Sequence, residues 1–253
     1  SDNPLTECAI CQDERQYGGW GGQQWTTLAE LRRSHENTVR LEELGLYSIG
    51  MEPSFAIGQR ALLVSQPAGN ILWDCIPLID DGLVDMVQGI GGISAIAISH
   101  PHYYTSMVEW AKAFDCPIYL HAADRQWVMR PDPVINYFDT AALELSPGVT
   151  AIHCGGHFYG SIVLHWAQGA EGQGVMLTSD TLQVASDRKH VSFLYSYPNM
   201  IPLGPTTVRH IVDTVTQYPF DRAYGIRWDL VIQQDATAAI HRSAERYIRR
   251  VQG

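Results

Sequence analysis

An even cysteine count, a membrane-length apolar run and an excess of positive charge are all missing from this chain. Its 253 residues include five cysteines, Cys8, Cys11, Cys75, Cys116 and Cys154. That odd, scattered set argues against a secreted disulfide framework. No apolar run approaches the roughly 20 residues that cross a bilayer, and no basic segment followed by an apolar one stands at the N-terminus. These two absences predict a soluble, cytoplasmic protein with no membrane partner, although a leader removed before Ser1 would leave no trace. Lys and Arg number 17 against 27 Asp and Glu, a formal net charge of -10. Such a chain repels phosphate backbones, so nucleic acid is not an expected partner. Repeats and low-complexity tracts are absent too. What is present is 45% hydrophobic and 17% charged, enough apolar material for a large core in one domain with an appendage. An acidic protein of this kind suits a small, neutral or apolar substrate; homo-oligomer formation is left open.

The chemistry sits in short motifs, each at the end of an apolar run. Ser99-His100-Pro101-His102-Tyr103-Tyr104-Thr105-Ser106 follows Ile96-Ala97-Ile98, which reads as a buried strand opening into a loop. Two histidines one residue apart in such a loop can turn both imidazoles to one point, and Pro101 limits the backbone freedom lost on metal binding. Downstream come Gly155-Gly156-His157-Phe158-Tyr159-Gly160-Ser161 and Thr178-Ser179-Asp180-Thr181-Leu182. His157 follows two glycines, where the backbone can turn tightly and aim the imidazole inward. His153 and His165 lie within strand patterns and are not expected to be ligands. Upstream, Asn70-Ile71-Leu72-Trp73-Asp74-Cys75 ends a further apolar run.

In that order and spacing, over roughly residues 54 to 250, these motifs resemble the metallo-β-lactamase superfamily. Its pattern is His-x-His-x-Asp-His after a strand, a Gly-His-x-x-Gly-Ser turn, an Asp in a Gly-Asp-Thr-Leu-like segment and a His near the C-terminus. The resemblance implies an α/β fold, the four-layer αββα sandwich, here with an N-terminal Cys-x-x-Cys extension. Carried over residue by residue, His100 and His102 are the first two ligands, but the Asp and His of the second metal site fall on Tyr104 and Thr105. The place of the last His is taken by Ala223-Tyr224-Gly225-Ile226-Arg227-Trp228-Asp229, which contains none. The implied centre is therefore mononuclear, held by His100, His102, His157 and Asp180, with solvent in an open position. Asp74 would stand beside the metal and orient a ligand; a turn-capping role fits it equally. Cys75, where the family has Thr, is expected to be buried.

Residues 1–50 read as an extension ahead of a domain at 51–253. Cys8-Ala9-Ile10-Cys11 is followed by Asp13-Glu14-Arg15-Gln16 and a glycine-rich patch at Gly18 to Gly22. The Cys-x-x-Cys turn has tetrahedral zinc spacing, yet two ligands are half a site. A structural zinc completed by His35, His153, Cys154 or Cys75, a redox pair, and plain packing all stay open. Thr27 and Glu30 make a capping box for a helix running to about Leu44.

Within the domain, Phe55 to Ser65 and Ile71 to Asp74 form a hairpin around Pro67-Ala68-Gly69-Asn70. Helices are expected over 82–89, 104–114, 205–217 and 235–251, and strands over 93–98, 117–121, 148–154, 161–167, 174–179 and 222–225. The N-terminus of the 104–114 helix would point at the metal loop and favour an anionic group there. Tyr103 and Tyr104 are placed in the pocket, Tyr104 as a catalytic donor to a developing oxyanion, or else as an aromatic wall. His121 could reach the pocket, but a strand-end His of this kind is more often structural. Arg130 to Asp139 reads as an irregular aromatic loop, a candidate lid. Phe193 to Pro202, with Tyr195, reads as a pocket wall, and Trp228 as a further lining residue.

The function implied is zinc-dependent hydrolysis. A zinc held by imidazoles and a carboxylate lowers the pKa of its bound water and polarises the bond attacked, with Asp180 as both ligand and orienter of that water. The resemblance, more than these residues, points to a small ester, lactone or thioester. Two rivals remain: a mononuclear iron sulfur dioxygenase using His100 or His102, His157 and Asp180, and a non-catalytic binding module of the same fold.

Overall fold

The computed structural model describes residues 7–253; residues 1–6, and with them the expectation about Ser1, lie outside the described residues. Helices α1 (Ala9–Gln12) and α2 (Leu28–Ser34) lead into the hairpin β1 (Glu36–Glu43) and β2 (Leu46–Glu52). Then follow β3 (Ala61–Val64), β4 (Ile71–Trp73), α3 (Asp81–Gly89), β5 (Ala95–Ala97), α4 (Met107–Phe114), β6 (Ile118–His121) and β7 (Ile135–Phe138). These strands form a seven-stranded sheet in chain order, antiparallel from β1 to β4 and parallel from β4 to β7.

The second half begins with β8 (Ala142–Ser146), β9 (Val149–His153), β10 (Ile162–Trp166), the short α5 (Gly169–Gly172) and β11 (Val175–Leu177). Two small hairpins come next, β12 (Gln183–Val184) with β13 (Val191–Ser192), and β14 (Leu194–Ser196) with β15 (Ile201–Pro202). Helix α6 (Pro205–Val215), β16 (Arg222–Tyr224), β17 (Val231–Ile232) and α7 (Ala236–Gln252) complete the chain. The second sheet is six-stranded, in the order β17-β16-β11-β10-β9-β8.

The period of two along a strand explains the layering. Leu62, Val64, Ile71, Trp73, Ala95 and Ala97 face the second sheet and meet Ala151, Ile162, Leu164, Val175 and Leu177 in one core. Their neighbours Leu63, Leu72 and Ile96 point the other way and pack with Leu83 and Val87 of α3 and Trp110 and Phe114 of α4. On the far side, Ile152, Val163 and Met176 pack with Val208 and Ile211 of α6 and Ala239 and Ile240 of α7. Strands buried on both faces read as unbroken apolar runs. The result is the four-layer αββα sandwich.

Three local expectations are corrected. The helix from Thr27 stops at Ser34, not near Leu44: Thr27 does cap it, accepting from Glu30 N–H, but His35 is already extended. Asn37 then trades hydrogen bonds with Asp80, and residues 36–43 pair with β2 instead. The candidate lid contains β7, whose Ile135 and Phe138 are buried at the sheet edge against β6. The helix expected from Tyr104 begins at Met107, because Pro101–Tyr103 close a separate 3₁₀ turn.

Candidate metal centre

The ends of β5, β9 and β11 deliver the four donor groups. His100 and His102 follow β5, His157 lies in the β9–β10 connection, and Asp180 follows β11. The turn at His157 depends on Gly155 (φ +65°) and Gly156 (φ +92°), and a Cβ on Gly156 would meet Ile211 Cδ1 at 2.8 Å. Only glycine takes that backbone without strain in that space.

The donor atoms converge. His100 Nε2 lies 3.2 Å from His102 Nδ1 and 3.4 Å from Asp180 Oδ2, while His157 Nε2 lies 3.5 Å from His102 Nδ1 and 3.8 Å from Asp180 Oδ2. All four groups offer atoms within 4.8 Å of one another. Ligands at the usual zinc–nitrogen distance in a tetrahedron stand about 3.3 Å apart, close to these separations. Two further buried atoms, His102 Nε2 and Asp180 Oδ1, have no hydrogen-bond partner. Burial brings the converging lone pairs of three imidazoles and a carboxylate together out of water, which is costly for polar groups unless something such as a cation is shared between them.

The imidazoles are held in the form that ligates. Burial, with Arg15 as a lesser cause, lowers His100 to about 3. Burial and then His100 lower His157 to about 4, and burial followed by His100 and His157 holds His102 well below its ordinary value. All three are therefore neutral near pH 7. Their outer nitrogens are also tied. His157 Nδ1 lies 3.2 Å from Leu194 O, an acceptor that requires the proton on Nδ1 and leaves the Nε2 lone pair facing in. Ser99 Oγ donates to Ser179 Oγ at 2.8 Å and sits 2.8 Å from His100 Nδ1, where it accepts that proton. Such outer contacts fix the tautomer and aim the ring.

Asp74 touches this arrangement at one remove. Its Oδ1 accepts from Ser99 N–H at 2.7 Å, so it sets the loop that carries His100. Burial pushes its carboxyl up to about 7, and the bond from Ser99 opposes that rise. Tyr103 packs its ring edge-on to His100 at 5.2 Å. Tyr104 instead packs in the apolar core beside α3 and α4, and burial drives its hydroxyl well above the ordinary range; a chain leaving a 3₁₀ turn sends adjacent side chains apart. Trp228 also stands elsewhere, against Gly50 and under Arg40 and Arg60. His121 stacks on His153 at 3.6 Å, outside the cluster. Cys75 is buried.

Several participants carried no local signal. Arg15 is 7% exposed, donates to His157 O at 2.9 Å, lies 3.8 Å over the Phe158 ring and 4.8 Å from Tyr195, and pairs with Asp13 at 2.6 Å. Asp124 accepts from Gly160 N–H at 2.8 Å and so braces the His157 turn. Tyr197 lies edge-on to His157 and donates to Asp180 O at 2.8 Å. No spacing along the chain links residue 15 to residue 157; only folding does.

No family model matches the chain. A search of curated proteins finds "Uncharacterized protein YmaE" of Bacillus subtilis (strain 168), 46% identical over 249 residues that cover 98% of this chain and 90% of that protein. The chain belongs to the YmaE family. Among solved structures, the metallo-β-lactamase SMB-1, in a complex with mercaptoacetic acid, matches 82% of this chain and 94% of its own at TM-score 0.55 and 16% identity. The metallo-β-lactamase FIM-1 from Pseudomonas aeruginosa, in its mono-zinc form, matches 83% and 95% at TM-score 0.60 and 14% identity. The YmaE-family chain thus has the metallo-β-lactamase fold. The His/Asp cluster described above lies within it, and no other group of three or more His, Cys, Asp or Glu side chains converges among the described residues.

Proposed function

We propose that this chain is a hydrolase that uses one zinc, held by His100, His102, His157 and Asp180, on a small ester, lactone or thioester. The observation that carries the reading is the convergence of three imidazoles held neutral and one carboxylate, with donor atoms all within 4.8 Å of one another. When bound there, zinc would acidify a water and polarise the carbonyl attacked. The protein's own residues do the rest. Ser99 and the Leu194 carbonyl hold the Nδ1 protons of His100 and His157 and keep both rings aimed. Asp180, whose Oδ1 has no hydrogen-bond partner, would serve as both ligand and orienter of the attacking water. Phe158 and Tyr103 pack against His100 and exclude bulk water from one side. The acidic chain, at -10, favours substrates without strong negative charge. We place the protein in the cytoplasm.

Elemental analysis of the purified chain, with a panel of small esters, lactones and thioesters, tests this. About one zinc per chain and hydrolysis of one member are expected, and His157→Ala should lose both. Zinc and activity retained in that variant would sink the site assignment. Persistent iron with oxygen consumption on a persulfide would replace hydrolysis with sulfur oxidation, and no retained metal would leave a binding module.

A further inference from the structure

The N-terminal segment carries a chemical group that the metal centre does not use. Cys8 Sγ and Cys11 Sγ lie 3.0 Å apart as free thiols, Cys8 buried and Cys11 half-buried. Among the described residues no third His, Cys, Asp or Glu joins them, since the one converging group is that of His100, His102, His157 and Asp180. A structural zinc on this pair therefore finds no third ligand among the described residues. The two sulfurs need to approach by only about 1 Å to reach disulfide bonding distance.

The next residues dock on the metal centre. Arg15 donates to the carbonyl of His157 and spreads over Phe158, with Asp13 gripping its guanidinium at two points. The carbonyl of Glu14 accepts from Ser196 Oγ at 3.1 Å and from Asn199 Nδ2 at 2.6 Å. Residues 13–15 thus form a strap between the β14–β15 hairpin and the His157 turn. Helix α1 joins the thiols to that strap through Asp13 N–H, which donates to Ile10 O.

We propose that Cys8 and Cys11 form a reversible disulfide, and that forming it locks the Asp13–Arg15 strap in its seat on the metal centre. The direction follows from linkage: the thiols already touch while residues 8–13 hold the helix and turn that lead into the seated strap, so the bond stabilises that folded segment, and the seat it supports, over arrangements in which the segment has unravelled. The co-reactant is a low-molecular-weight disulfide. The half-buried Cys11 sulfur, as thiolate, attacks one of its sulfurs and releases one thiol; Cys8 then attacks Cys11 in the mixed disulfide and releases the second. Two protein thiols are oxidised, one disulfide is reduced to two thiols, and the protons leave with them. Burial, then the hydrogen bond with Cys8, pushes the Cys11 thiol up to about 12, so exchange is slow and the pair responds to sustained oxidation.

The test uses the full-length, metal-loaded protein equilibrated in reduced or oxidised glutathione. Alkylation and peptide mapping read the bond, and brief trypsin treatment reads cleavage after Arg15. The oxidised protein should yield a residue 8–11 peptide lacking two hydrogens and resistant to alkylation, reversed by dithiothreitol, with cleavage after Arg15 slowed several-fold. Cleavage after Arg32 and Arg33 should not change, and Cys8→Ser/Cys11→Ser should be cut after Arg15 at one rate in both buffers. Full alkylation of both thiols in the oxidised buffer, or cleavage after Arg15 as fast as in the reduced protein, overturns the proposal. Both readouts are independent of hydrolysis, so the proposal and the hydrolase reading can fail separately.

Discussion

Ser99 joins three parts of the chain. Its N–H donates to Asp74, its carbonyl accepts from Ile162 N–H across the sandwich, and its hydroxyl stands between His100 and Ser179. Ser99→Ala keeps both backbone bonds and removes only the hydroxyl, leaving the outer nitrogen of His100 buried without a partner. An unsatisfied buried donor costs about 1–3 kcal/mol, and loss of a contact that aims a metal-ligating imidazole lowers affinity about 10–100-fold. Competition against a chromophoric chelator should show that loss, with circular dichroism unchanged. Undiminished affinity would mean that the ring is aimed by packing against Tyr103 and Phe158 alone.

At the scale of elements, the ends of β6 and β9 are joined by the stacked rings of His121 and His153, 3.6 Å apart and 7° from parallel. Burial, followed by His153, lowers His121 to about 4, with Asp139 opposing the fall. The unfolded chain therefore binds more protons than the folded one between about pH 6.5 and 4, and stability falls as pH drops through that window. His121→Asn removes the titration, and its side-chain oxygen can still accept from Ala123 N–H as His121 Nδ1 does. Chemical denaturation of the metal-loaded protein at pH 7 and pH 5 should show a smaller loss in the variant; equal losses would assign the sensitivity to other groups. The same elements show what the sequence could and could not reveal. Strands buried on both faces, such as β5 and β10, stand out as apolar runs, and the motifs at strand ends point to His100, His157 and Asp180. Edge strands do not announce themselves: β1 has no buried residue and carries charge at Glu36, Arg40, Glu42 and Glu43, so no alternation marks it and the capping box before it suggested more helix. β7 follows Pro131 and Pro133 and needs one partner only, which made it look like loop. Arg15 was invisible because a pairing across 142 residues leaves no local trace.

For the molecule as a whole, the metal centre is a joint between its halves. His100 and His102 belong to the loop leaving the seven-stranded sheet, His157 and Asp180 to connections of the six-stranded sheet. A cation held by all four ties the halves of the sandwich together and binds the folded chain alone, because the unfolded chain scatters its ligands. At a free metal concentration a thousandfold above the dissociation constant, that linkage contributes about 4 kcal/mol. For a chain of this length each kcal/mol moves the unfolding midpoint by about 2–4 °C, so chelation should lower the Tm by roughly 10 °C. Calorimetry with and without a strong chelator measures the shift, and His157→Ala supplies the control, because a protein that no longer binds the metal should melt at one temperature in both conditions. A wild-type Tm that ignores the chelator would mean that the sheets are held by their apolar interface alone, with Trp73, Leu164 and Leu177 at its centre, and that the cluster contributes nothing to joining them.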